Sequence, residues 1–338
     1  MATRRRSEHT QGLKLAISLA DFLQLAYGDN CDLTDTVLPT IRRVVSRDTV
    51  ETIADLRGII MSLDQQRFPT QISIRFSESD IQFVTINGVE CAVDRQDLSV
   101  CAPAASSGLW EPHIAACFRR ICRRGSVAID VGANVGYHTL LLAELVGSEG
   151  ECYAFEPNSE NCRLILLGCE HNHFANIRLM PFGLSDESGW AYFSSHIGSN
   201  GGVITKEVVA SQGHGTVIPV FTLDGLSLPN VDVLKVDVEG AEYKVLRGGE
   251  ALLTRSRPAI VSEFSLEMTT RVSGVHPADY LNWVERKGYK IYVLEQHSNN
   301  TVLVPSIVDL LTTWGSFTRI EDLLFLPHEK GYLIDHSD

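Results

Sequence analysis

The chain has 338 residues, 44% hydrophobic and 21% charged, the make-up of a globular protein with a sizeable core and room for one large domain plus a smaller one. Asp and Glu (42) outnumber Lys and Arg (29), for a formal net charge of -13; duplex nucleic acid demands a basic face, so this balance argues against a nucleic-acid partner and suits a neutral or cationic ligand. No stretch reaches the roughly 20 apolar residues of a membrane span, so no membrane partner is expected.

The cysteines at positions 31, 91, 101, 117, 122, 152, 162 and 169 include no C-x-x-C pair, so the usual zinc spacing is missing. Several lie in apolar runs, where a thiol behaves as a small hydrophobe, and reduced thiols in a cytoplasmic protein are the expectation. The opening Met1-Ala-Thr-Arg-Arg-Arg6 is basic but leads into polar residues rather than an apolar signal core, which argues against a secretory signal.

Residues 13–27 and about 40–63 place apolar side chains at helical intervals and predict a small helical subdomain. Alternation over 72–76 and 81–93 predicts strands, with Asn87-Gly88 as a hairpin turn of type I′. Residues 94–108, small and polar, read as a boundary or a mobile lid. From Trp110 onward strand and helix alternate. Strands are predicted at 126–131, 151–156, 177–182, 231–237, 259–264, 289–295 and 322–327, and helices at 111–123, 137–146, 158–172, 240–255 and 277–287. Such alternation predicts an α/β fold: a Rossmann-like, mostly parallel sheet with helices on both faces. The runs 189–193 and 216–221 are expected as extra strands before the fourth core strand. The division that follows is a helical and hairpin region over 1–109, which covers the site or dimerises, and an α/β domain over 110–338.

The densest signal is Val127-Ala-Ile-Asp130-Val-Gly132-Ala-Asn134-Val-Gly136-Tyr137-His138-Thr139, an apolar strand ending in an acid, two glycines and a helix. Glycine permits a sharp turn and close approach, and the helix start offers unsatisfied N–H groups. A dinucleotide loop wants a glycine in the middle to admit the diphosphate, but Asn134 stands there, and Asp130 would repel the phosphates. An acid at that place suits an ammonium or sulfonium group, so the loop favours S-adenosylmethionine. The second strand ends in Glu156-Pro157-Asn158, where a carboxylate is able to grip both ribose hydroxyls. On the fourth strand Lys235 and Asp237 share a face and Glu239 follows at the turn; the fifth ends in Glu263. Charges at the carboxyl ends of central strands are costly in a core and expected over an active crevice. Glu242 is assigned to the surface of the following helix.

With these segments assembled, the chain resembles the FkbM-type methyltransferases of the class I S-adenosylmethionine-dependent superfamily. The resemblance rests on DVGANVGYHTLLLA (130–143), AFEPN (154–158), FTLDGL (221–226), LKVDVEGAEYKVLRGG (234–249) and AIVSEF (259–264), and covers about residues 110–300. It implies a seven-stranded sheet with strands one to five parallel and the last antiparallel, and O-methylation of a hydroxyl on a sugar or polyketide-like natural product. Carried over by position, Asp130, Gly132, Asn134, Gly136 and Tyr137 line the methionine part of the cofactor, and Glu156, with Pro157 and Asn158, holds the ribose. Leu184, Ser185 and Asp186 border the adenine, and Asp237 and Glu239 face the reacting centre.

An aliphatic hydroxyl attacks only as a base takes its proton. The candidates are Asp237, Glu239, Glu263 and His138, with His196 and His214 as surface histidines in a polar loop. Asp237 with Glu239 or Glu263 offers a divalent metal a place, although no tight ligand cluster is visible. His171 and His173, two residues apart, face different sides of a helix end and read as helix-terminal residues. The partner expected is a small hydroxylated acceptor, with a homodimer through the N-terminal region as a further expectation. A macromolecular acceptor, a non-catalytic S-adenosylmethionine-binding protein and a nicotinamide oxidoreductase are the competing readings.

Overall fold

The structure, a computed structural model, describes residues 13–15, 72–74, 81–197, 200–204 and 215–333. Near the start, β1 (Leu13–Leu15) and β2 (Ile72–Ile74) form an antiparallel ribbon. The helix expected from residue 13 therefore begins instead as a strand; Leu-Lys-Leu alternates as well as it winds, and pairing with β2 decides. The rest of that expected helix, and the one over 40–63, lie outside the described residues. β3 (Ile81–Ile86) and β4 (Val89–Asp94) make the expected hairpin. Asn87 and Gly88 have φ of 51° and 89°, the left-handed pair a type I′ turn requires.

The stretch read as a boundary or lid contains a helix, α1 (Cys101–Ser107). Asp97 Oδ1 accepts the backbone N–H groups of Ser99 and Val100 at 2.8 and 3.2 Å, which organises the start, and left-handed Gly108 closes the end. α2 (Pro112–Ile121) follows, with Pro112 in the first turn where its missing N–H costs nothing. Ile86, Cys91, Val93 and Ala104 share one apolar cluster with Phe118, Leu140 and Leu141, so the hairpin and α1 are built into the core around α2.

The core continues with β5 (Val127–Val131), α3 (Tyr137–Val146), β6 (Glu151–Phe155), α4 (Ser159–Asn172) and β7 (Ile177–Met180). An inserted sheet follows, made of β8 (Gly183–Leu184), β9 (Gly189–Ile197), β10 (Asn200–Ile204) and β11 (Thr216–Phe221) in the order β10-β9-β11-β8. The chain then re-enters the core as β12 (Val233–Val236), α5 (Glu242–Arg247), α6 (Glu250–Ser256), β13 (Ala259–Ser265), α7 (Pro277–Arg286), β14 (Tyr289–Leu294), β15 (Thr301–Leu303), α8 (Ile307–Thr312) and β16 (Ile320–Pro327).

The central sheet runs β15-β14-β16-β13-β12-β5-β6-β7. Neighbours from β13 through β7 are parallel, and β16 is antiparallel to both β13 and β14. All seven expected strands are present and β15 adds an eighth at the edge; its Thr-Val-Leu is too short to stand out in the sequence. The helix expected over 240–255 is two helices, broken at Gly248-Gly249. A Cβ on Gly248 would lie 2.1 Å from the Ser185 carbonyl oxygen, and Asp224 accepts the Ala251 and Leu252 N–H groups, each at 2.8 Å. The FTLDGL and LRGG segments thus meet each other: Asp224 caps α6, a structural task.

Candidate active site

β5 leads toward β6 on one side while its other neighbour is β12, so the strand order reverses between β5 and β12 and leaves a crevice at their carboxyl ends. Including its open mouth, the crevice holds about 1190 Å³ of non-atom space. Its floor is the Val131–Val135 loop, one end is Phe155, Glu156, Pro157 and Leu184, and the other is Asp237, Glu239 and Glu263. Glu111, Tyr137 and His138 form a side wall, and Phe193, Gly201, Gly202, Ile218 and Val220 of the inserted sheet form the roof.

The floor loop is held by backbone geometry. Gly132, Asn134 and Gly136 all have positive φ, at 77°, 51° and 90°. A Cβ on Gly132 would lie 1.8 Å from the Asp237 carbonyl oxygen, and one on Gly136 would lie 2.6 Å from Ile165 Cγ1. Both glycines therefore serve contact within the protein: the first brings the β5 and β12 ends together, the second seats α3 on α4. Gly132 and Ala133 donate to the Phe155 carbonyl at 3.0 and 3.1 Å, which ties the loop to β6.

Glu156 lies where the loops after β5 and β6 meet. Its Oε2 accepts the Asn134 N–H at 2.8 Å and its Oε1 the Asn158 N–H at 2.7 Å. The carboxylate is thus fixed in orientation, and the Asn161 side chain is a further hydrogen-bond partner. Burial raises its pKa to about 7 against those N–H donors. Asn158 stands outside the crevice lining and caps α4, accepting the Glu160 N–H at 3.0 Å. Leu184 reaches the crevice; Ser185 and Asp186 do not, and bond to each other at 3.0 Å.

Asp130 differs most from its expected place. It is fully buried beneath the crevice and absent from its lining, with Thr139 Oγ1 donating to Oδ2 at 2.6 Å and Lys235 Nζ 3.5 Å from Oδ1. Lys235, 3% exposed, also donates to Asp237 Oδ2 at 3.1 Å. The cation that Asp130 meets is therefore the chain's own lysine. Burial lowers and the two aspartates raise the Lys235 pKa, with the result well above the ordinary lysine value.

Of the proposed catalytic group, Asp237, Glu239, Glu263 and His138 all line the crevice. Burial pushes Asp237 above the usual carboxylate range in spite of Lys235. Burial, with the charges of Asp237, Glu242 and Glu239, pushes Glu263 well above it. Glu239 sits at φ 55° in the turn after β12. That turn is shaped by Glu242, whose Oε1 accepts the N–H groups of Val238 and Gly240 at 2.9 and 3.0 Å; at 2% exposed, it is internal rather than on the helix surface. Among the described residues no group of three or more His, Cys, Asp or Glu is placed to hold a metal ion.

His138 bonds through Nε2 to Glu111 Oε2 at 2.7 Å. Glu111 escaped the sequence reading because it lies before the glycine loop in no motif; its signal is structural, a left-handed φ of 42° at the N-cap of α2. Behind it His113 Nε2 meets Asp322 Oδ2 at 2.7 Å, a buried pair. His171 stacks on Phe83 and His173 is the left-handed C-cap of α4, both helix-end roles as expected. His196 falls on β9 and His214 lies outside the described residues.

Five acidic side chains (Glu111, Glu156, Asp237, Glu239 and Glu263) line the crevice against one engaged lysine, a balance that disfavours a diphosphate. Hexuronic acid methyltransferase AglP of Haloferax volcanii is 31% identical over 125 residues, spanning 35% of this chain and about half (48%) of that protein. The crystal structure of methyltransferase FkbM from Methylobacillus flagellatus KT matches with 14% identity and a TM-score of 0.39, over 60% of this chain and 44% of that one. A SAM dependent methyltransferase from Aquifex aeolicus matches with 12% identity and a TM-score of 0.35, over 63% and 88%. Among the described residues no helix is long and apolar enough to cross a membrane. The family model for the methyltransferase FkbM domain matches residues 130–291 of this chain.

Proposed function

We propose that the protein is an S-adenosylmethionine-dependent O-methyltransferase acting on a hydroxyl of a small molecule, a sugar or a polyketide-like natural product. The observation that carries this reading is the run of carboxylates along the crevice, from Glu156 at the nucleoside end to Glu263 at the other, over a loop that lacks the middle glycine of a diphosphate site. The residues fit the cofactor: Glu156 with Pro157 would hold the ribose, Leu184 would border the base, and the acidic far end would suit a sulfonium. The hexuronic acid acceptor in the name of the Haloferax protein supports a sugar-like acceptor here.

When bound, S-adenosylmethionine supplies an electrophilic methyl group on a good leaving group. The chain's part is to orient the acceptor, exclude water and take a proton. Glu263 is the best placed base. It lines the crevice, and burial together with the neighbouring acids Asp237, Glu242 and Glu239 raises its proton affinity above that of a free carboxylate. Asp237 is the weaker candidate because the Lys235 ammonium already holds its Oδ2. Glu239 borders the acceptor under the inserted sheet, where a Cβ on Gly202 would approach Glu239 Cβ to 2.9 Å.

Calorimetry of S-adenosylmethionine, S-adenosylhomocysteine and NAD on the purified chain tests the reading. Micromolar binding of the first two without NAD is expected, followed by methyl transfer in a screen of hydroxylated sugars and polyketides. Binding of NAD alone would overturn it.

A further inference from the structure

Asp130 is the acid the glycine loop offers to a cationic cofactor, yet it is sealed beneath the floor and neutralised by Lys235. Asp237 shares that lysine. Any ammonium entering the crevice beside the Gly132–Gly136 loop must therefore find another anion. Glu111 lines the same crevice and bonds His138, in the first turn of the helix that starts from Gly136. Its Oε2 takes the His138 Nε2 bond, while Oε1 has no hydrogen-bond donor among the described residues. The Glu111 side chain is 31% exposed, open on one side, whereas His138 is 5% exposed and anchors it from behind.

Glu111 is also held in place with some care. The turn residue Asn87 donates from Nδ2 to the Trp110 carbonyl at 2.6 Å and from its backbone N–H to the Gly108 carbonyl at 3.0 Å. Arg119 of α2 donates back to the Asn87 carbonyl at 2.6 Å. This clamp brackets the residue immediately before Glu111, whose φ of 42° is one a glutamate avoids unless its surroundings impose it. The hairpin from β3 to β4 thus fixes the one wall carboxylate that lies outside residues 130–291.

We infer that Glu111, positioned by Asn87 and His138, is the anion that receives the α-ammonium of the methionine part of the cofactor. This rests on the proposed S-adenosylmethionine site. A carboxylate hydrogen-bonded by a histidine suits an ammonium and is a poor proton acceptor, which separates its task from that of Glu263. Against burial, the His138 hydrogen bond and charge, with the charges of Lys235 and His113, hold Glu111 below the usual carboxylate range.

The test is calorimetry on the full chain with three probes: S-adenosylhomocysteine, its analogue with hydrogen in place of the ammonium, and 5′-methylthioadenosine, which lacks the amino-acid part. The unmodified protein should prefer S-adenosylhomocysteine over the deaminated analogue by about tenfold to a hundredfold, the scale of one charge-assisted hydrogen bond. Glu111→Gln, which keeps an oxygen for His138, should weaken S-adenosylhomocysteine by a similar factor and leave 5′-methylthioadenosine unchanged. Equal affinity of the unmodified protein for the first two probes overturns the inference even if the variant does not fold. Equal weakening of all three probes in Glu111→Gln also overturns it, since that marks a structural role. Failure of the unmodified protein to bind S-adenosylhomocysteine removes the cofactor reading itself and the inference with it.

Discussion

Gly132→Ala is the sharpest perturbation of the crevice floor. Two costs combine there. A left-handed φ of 77° strains any L side chain by about 1–2 kcal/mol, of which about 0.4–1 kcal/mol is offset by the stiffer unfolded chain. The new Cβ would also lie 1.8 Å from the Asp237 carbonyl oxygen and 2.9 Å from its carbon, so the β5 and β12 ends must part. Parting them strains the Asp237 N–H to Val131 carbonyl bond of 3.0 Å, and such overpacking costs about 1–3 kcal/mol more. The expected loss is about 1–5 kcal/mol in denaturant unfolding, together with weakened S-adenosylhomocysteine binding because Asp237 and the floor move together. Gly125→Ala is the control. Its φ is 81°, but nothing lies within 4 Å of an added Cβ, so it pays only the backbone strain, about 1 kcal/mol net. If the two variants are equally stable, the close approach of the loop to β12 is not what requires glycine at 132.

Glu263→Gln is expected to slow methyl transfer by about 10²–10⁴-fold while leaving S-adenosylhomocysteine affinity within a few-fold; unchanged turnover would remove Glu263 as the base. Lys235→Met strands Asp130 and Asp237 without a counter-charge and should cost about 3–5 kcal/mol, partly recovered by adding Asp130→Asn; denaturant midpoints of the single and double variants decide. Glu242, held at about 7 by burial, binds its proton more tightly when folded than in the unfolded chain, where its pKa is about 4.3. It therefore lowers stability as pH rises between those values. Glu242→Gln, whose amide oxygen keeps both N–H bonds, should remove up to about 1.4 kcal/mol per pH unit of that decline; an unaltered slope would refute the assignment. Burial raises the pKa of all seven described cysteines, Cys101 to about 11 and Cys91, Cys117, Cys122 and Cys169 to about 12. Peptide mapping after iodoacetamide at pH 8 should find these seven unlabelled in the native protein and labelled in denaturant.

The alternating core was legible because its signals are local. Apolar runs of five or six residues closed by a glycine turn, and helices of ten to fourteen residues with Asn158 or Pro277 at their starts, leave their mark within one window of sequence. The acids at the ends of β5, β6, β12 and β13 were equally visible, since charge has no reason to end a buried strand unless something opens above it. Which of them face the crevice was decided by tertiary structure. Asp130 and Asp237 both end parallel strands, yet the side chain of Lys235, reaching from β12, draws the first into the interior and leaves the second half-open. Glu111 belongs to no motif; it enters the site because a hairpin turn more than 20 residues earlier clamps the segment before it. Glu242 looks like a helix-surface residue in one dimension and proves to shape the turn after β12, while Asp224 of the FTLDGL segment proves to cap the start of α6. Local sequence determined the elements and the chemical types at their ends. Long-range contact, which no periodicity encodes, decided which carboxylate was spent on folding and which was left for a ligand.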